Sequence, residues 1–177
     1  MNKQTLIIGG IAIAVIGGGI LLSIPDQKNQ KLEAGTASKD TPAIGEEFDN
    51  LGQTHIEPGA SHESYNSNPP TSGPHLAEPA KWGVYSTPLQ DEQAIHNLEH
   101  GGIWISYKDI DEQTKSQLET IAKVNGGSVI MSPRSDNDAK ITLSSWLRQI
   151  KLESYDEAKI LEFIKSNKNK SPEPIAF

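Results

Sequence analysis

The chain has 177 residues, no cysteine, five histidines, and 23 acidic against 16 basic side chains, for a formal charge of −7. That length allows one soluble domain with a real core. The acidic balance excludes a general nucleic-acid binder, which needs a basic face to displace counterions. The missing thiols exclude disulfides, thiol redox chemistry, Fe–S clusters and cysteine zinc sites.

After a short N-terminal tail (1–4), residues 5–24 read TLIIGGIAIAVIGGGILLSI, twenty residues without a charge. As a helix they span about 30 Å, the thickness of the hydrocarbon layer. A cleaved signal needs a shorter apolar core and a small-x-small site, for which Ser23-Ile24-Pro25 is a poor candidate. The expectation is an uncleaved, single-pass transmembrane anchor in the cell membrane. Lys3 stands before it; Lys28 and Lys31 follow, set against Asp26 and Glu33. The basic residues nearly balance, so the expected orientation is the usual one for an N-terminal anchor, with the domain extracytoplasmic. Residues 25–43 are polar, and the expectation is a flexible stalk.

The globular domain is expected over 44–168, with 169–177 as a C-terminal tail. From 46 to 90 the chain carries six prolines, at 58, 69, 70, 74, 79 and 88. So many residues with fixed φ and no N–H donor forbid a long helix or central strand. Tyr65, Trp82, Val84 and Tyr85 supply apolar anchors to this half. The second half is more regular. Gly102 to Tyr107 is strand-like. A helix capped by Asp109 or Asp111 runs to about Val124, with Leu118, Ile121, Ala122 and Val124 inward. Ser128 to Ser132 and Ile141 to Trp146 are strand candidates. A last helix, capped by Ser154 or Asp156, turns Ala158, Ile160, Leu161 and Ile164 inward. The predicted fold class is α+β: a small α/β sandwich with a β-α-β-β-α C-terminal half, a proline-rich irregular N-terminal half, and one transmembrane helix before it. The element order is similar to the C-terminal part of thioredoxin-like folds, a likeness that without cysteines carries no activity.

All five histidines fall between 55 and 100: His55, His62, His75, His96 and His100. Clustered histidine marks metal sites, and imidazole needs no thiolate help to hold zinc or copper. In His96-Asn97-Leu98-Glu99-His100 the two histidines are four apart, on one side of a helical turn. Read literally this is the inverted zincin string H-x-x-E-H, which makes Glu99 an alternative catalytic residue. Gly101-Gly102 breaks the long helix that such a peptidase needs. In Pro69-Pro70-Thr71-Ser72-Gly73-Pro74-His75 the prolines and the turn present His75 from a stiff loop.

Those two strings, with Trp82-Gly83-Val84-Tyr85 between them, resemble the domain of unknown function 3105 (DUF3105) family. The resemblance runs from Ile44 to Lys168. It includes Thr54-His55 with Gly59, the Thr142 to Trp146 segment, and Tyr155-Asp156. It implies a small bacterial or archaeal protein with an N-terminal anchor and one extracytoplasmic domain. It places His55, His75, His96 and His100 at motif positions and leaves His62 unspecified. It names no chemistry.

The functional expectation is an anchored, extracytoplasmic metal-binding domain for sequestration or transfer, more a binding protein than an enzyme. The candidate ligands are His55, His75, His96, His100 and Met131. Core packing is the default for Met131, but a thioether beside imidazoles favours copper, with zinc the alternative. Two rivals stand beside this. One is an envelope module whose proline-rich face docks a partner protein. The other is a zinc-dependent hydrolase using H-x-x-E-H, or a His–Glu pair with Ser72 or Ser106.

Overall fold

The computed structural model describes residues 41–176. The expected anchor, and all but the last three residues of the expected stalk, lie outside them. Among the described residues no helix is long and apolar enough to cross a membrane. The domain is α+β, with three helices and a mixed sheet. In chain order the elements are β1 (Glu46–Glu47), β2 (His55–Ile56), β3 (His75–Leu76), β4 (Gly83–Val84), α1 (Asp91–Glu99), β5 (Ile103–Tyr107), α2 (Glu112–Val124), β6 (Val129–Pro133), β7 (Ile141–Ser145), β8 (Arg148–Leu152) and α3 (Glu157–Asn167).

Six strands form one sheet in the order β1-β8-β7-β5-β6-β4, while β2 and β3 make a separate parallel pair. The parallel neighbours β5 and β6 need a crossover, and α2 supplies it. β7, β8 and β1 then continue antiparallel. Side chains alternate across the strands and so divide the core in two. Ile103, Ile105, Val129, Met131, Ile141 and Leu143 face Leu118 and Ile121 of α2 and Ile160, Phe163 and Ile164 of α3. Trp104 and Ile130 face the other way, onto Ala94, Ile95 and Leu98 of α1. Each large apolar side chain buried this way contributes about 1.5–3 kcal/mol.

Both helix caps at aspartate form. Asp111 accepts from the Thr114 N–H and Asp156 from the Lys159 N–H. Three expectations change. β8 follows β7 across only Trp146-Leu147, and Leu147 takes a left-handed backbone with φ 60°. No Gly or Asn announces that hairpin, so nothing local in the sequence marks it. Val124 is exposed, because it ends α2 beyond the sheet. In α3 Ala158 is exposed and Phe163 is buried, because the inward stripe runs 160, 163, 164 and 167.

The proline-rich half lies on the polar part of the α1 face, where Ser106, Thr142, Ser144 and Gln149 are buried. It is held there by hydrogen bonds more than by apolar area. Gln149 donates to the Pro69 carbonyl at 3.0 Å, and the Leu147 N–H donates to Thr71 at 3.3 Å. Arg134 grips Asp91 through two parallel bonds of 2.8 and 2.7 Å and reaches Asn68 at 2.6 Å. A buried loop must satisfy its backbone polar groups, and these contacts do so. They also fix the loop that ends in His75.

Candidate metal centre

His75 begins β3, at the end of the PPTSGPH loop. Gly73 there has φ 116°, a left-handed conformation, and a side chain on it would press into the Tyr65 ring. Tyr65 donates to the Pro74 carbonyl at 2.6 Å, and the Gly73 N–H donates to Gly52 at 3.0 Å. The Gly73 carbonyl is thereby aimed at the His75 ring, whose Nδ1 lies 2.8 Å from it. A carbonyl only accepts, so a His75 proton sits on Nδ1; in the neutral ring Nε2 then carries the lone pair.

His96 and Glu99 come from α1, which packs Ala94, Ile95 and Leu98 onto the sheet and so turns the adjoining face toward β3. His96 Nδ1 donates to the Leu76 carbonyl at 2.7 Å, again leaving Nε2 as the lone-pair atom. Burial holds the His96 imidazole below its ordinary pKa; the neighbouring His100 and His75 rings push the same way, against the Leu76 hydrogen bond and Glu99. Asn97 is fully paired with Ala80, donating at 2.8 Å and accepting at 2.9 Å, which ties the 79–82 segment to the helix. Gly101 and Gly102 then admit what a side chain would exclude: Asn169 against the first, the Trp82 ring against the second. The segment after α3 runs along this helix end. The N–H groups of Asn169, Glu173 and Ile175 donate to the carbonyls of Gly101, Glu99 and His100.

His55 is on β2, directly paired with His75 in the parallel register. Its ring stacks on His96 at 5.1 Å and stands edge-on to His75 at 4.9 Å. One donor atom from each of His55, His75, His96 and Glu99 lies within 4.8 Å of every other. Glu99 Oε2 is 3.1 Å from His75 Nε2 and 3.9 Å from His55 Nε2. Its other oxygen accepts from Gln53 Nε2 at 2.6 Å. Glu99 is only 2% exposed, and among the described residues no Lys or Arg pairs with it. A bare carboxylate oxygen and an imidazole lone pair at 3.1 Å repel. A proton or a shared cation between them removes the repulsion.

The other expected ligands stand elsewhere. His100 meets His96 as the four-residue spacing predicts, Nε2 to Nε2 at 2.8 Å, but falls outside the four-donor group. Met131 is fully buried in the core between the sheet, α2 and α3, on the face away from α1, so its sulfur does not join the histidines. His62 bonds to the Glu63 carbonyl and approaches Glu92. Ser72 accepts from the Leu51 N–H and Ser106 donates to Asn137, so neither hydroxyl is paired with an imidazole. Glu99, an alternative catalytic group from its string, is a member of the four-donor group. Gln53, which orients it, carries no signal in the sequence.

These features define an α+β domain that gathers three imidazoles and a buried carboxylate at the junction of a short strand pair and one helix. The chain belongs to the family described as protein of unknown function (DUF3105), whose model matches residues 55–176. The match begins at His55, later than the Ile44 expected, and continues through the segment that packs on the end of α1. No curated protein and no solved structure matches the chain.

Proposed function

We propose that this protein binds one divalent first-row transition ion between His55, His75, His96 and Glu99, and that it sequesters or transfers that ion. The carrying observation is the convergence of four donors around a buried carboxylate. One donor atom from each of His55, His75, His96 and Glu99 lies within 4.8 Å of every other, and the Nδ1 atoms of His75 and His96 are each bonded to a carbonyl. Metal-bound histidines almost always show such an outer N–H bond, which fixes tautomer and ring orientation. Three imidazoles and one carboxylate suit zinc, and imidazole also serves copper(II). The preference for copper rested on the thioether, which is on the wrong face. Zinc is therefore the first ion to test and copper(II) the second.

The twenty uncharged residues at 5–24 support a membrane-anchored, extracytoplasmic setting for the domain. A hydrolase reading through H-x-x-E-H has less support, because Glu99 sits among the ligands and His100 outside them. Titration of the purified chain with Zn²⁺ and Cu²⁺ should give about one ion per chain by elemental analysis, since the four donors describe a single site. His75→Gln, His96→Gln and Glu99→Gln should each lose it. Wild type without metal above background, or all three variants with full occupancy, would refute the assignment.

A further inference from the structure

The four donors are not held alike. His75 and His96 each have Nδ1 tied to a carbonyl, and Glu99 has Oε1 tied to Gln53. All three are buried. The His55 side chain is 51% exposed, and its Nε2 stands 3.9 Å from Glu99 Oε2, beyond hydrogen-bond distance. Among the described residues no hydrogen bond fixes its ring. The backbone beside it is nonetheless held, since the His75 N–H donates to Thr54 and the Gly73 N–H to Gly52. His55 is therefore a half-exposed ring on a fixed strand, held by ring contacts with His75 and His96 and by no hydrogen bond. Its ring lies parallel to His96, and it is the one exposed member of the four donors.

Resting on the metal-centre reading, we infer that His55 is the exchange ligand of the site. The ion enters and leaves at its face, and an incoming nitrogen or oxygen donor takes its coordination position first. A rotation about its own χ angles, fast for an exposed side chain, opens the site with no loop movement. The three oriented donors stay in place and keep the ion bound during the exchange. Transfer to an acceptor then proceeds by ligand substitution: the metal–Nε2 bond of His55 breaks as the bond to the acceptor's donor atom forms, with no change of oxidation state. The class of partner this fits is a chelating donor that approaches from solvent, either a small molecule or an exposed imidazole or carboxylate of a carrier protein.

The test uses the full chain in detergent, loaded with Co²⁺ as a spectroscopic stand-in for zinc. His55→Ala should keep one Co²⁺ per chain, with affinity weakened by about 10-fold, at the low end of what supporting groups of metal sites cost. Extraction by EDTA should speed up by a similar factor. Millimolar free imidazole should restore both values and shift the visible Co²⁺ bands back toward wild type. In His75→Gln, whose position is sealed from solvent, imidazole should restore nothing. His55→Ala that loses Co²⁺ completely, or whose extraction rate matches wild type, or that ignores imidazole, overturns the exchange role while leaving the metal centre standing. Wild-type protein that takes up neither Co²⁺ nor Zn²⁺ overturns both. Because His55 is exposed and outside the core, its removal does not threaten the fold, and the circular dichroism spectrum of the variant checks this.

Discussion

Position in a sheet decides what a side chain is available to do. Met131 and Ile130 are neighbours in β6, yet they point into opposite halves of the core. The one sulfur among the described residues thereby becomes packing material and leaves the imidazoles to act without it. Met131→Leu keeps volume and polarity nearly constant, so it should cost less than about 1.5 kcal/mol in a urea melt. It should leave metal stoichiometry and affinity unchanged in the titration described above. A loss of binding with retained stability would return Met131 to the ligand set. Glu99 is the converse case. Its place in the string made it an alternative catalytic group, and its 3.1 Å approach to His75 sets it among the four donors.

Among the elements, α1 and the PPTSGPH loop work as a pair. The helix turns its apolar face to Trp104 and Ile130 and offers His96 and Glu99 to the loop and to β3, whose carbonyls at Gly73 and Leu76 orient both buried rings. α3 carries a testable cap of its own. The Asp156 carboxylate is held below the usual carboxylate range, first by the Lys159 N–H and then by the Lys159 side chain. A depressed folded-state value means the cap stabilises fully above the unfolded aspartate value of about 3.9, and the contribution is lost as pH falls through the folded value. Asp156→Asn keeps a neutral cap. The urea midpoint of wild type minus that of Asp156→Asn should therefore shrink as pH falls from about 5 through the folded-state value. Other carboxylates titrate in both proteins and cancel in the difference. A constant difference would show that the charge on Asp156 does not contribute.

At the scale of the whole molecule, the proposed ion binding would be linked to folding. The donors arrive from residues 55, 75, 96 and 99, on two strands and a helix, so an unfolded chain presents no preformed site. An ion that binds only the folded state at about 100 times its Kd stabilises by about 2.7 kcal/mol. Zn²⁺ should accordingly raise Tm, EDTA should reverse the rise, and Glu99→Gln should abolish the response. A Zn²⁺-independent Tm would argue against the centre. Much of this architecture was legible beforehand. The periodicity of 102–166 located β5, β6, β7, α2 and α3, because apolar spacing follows directly from strand and helix geometry. β8 was not, since a Trp-Leu turn has no local signature. Nor was the laying of the proline-rich half onto a hydroxyl-lined sheet face, because hydrogen bonds between residues 80 apart, such as Gln149 to Pro69, leave no pattern in a linear string.

The sequence by itself determined the kind of chemistry open to this protein: no thiol, five histidines in one window, and two of them one helical turn apart. Residue type and short spacing suffice for that, since both are local. The tertiary structure alone decided which donors converge. It admitted His55, His75, His96 and Glu99, placed His100 outside that group and Met131 across the sheet, and recruited Gln53. Ligation is a matter of ångströms between residues distant in sequence, and only the packed fold sets those distances.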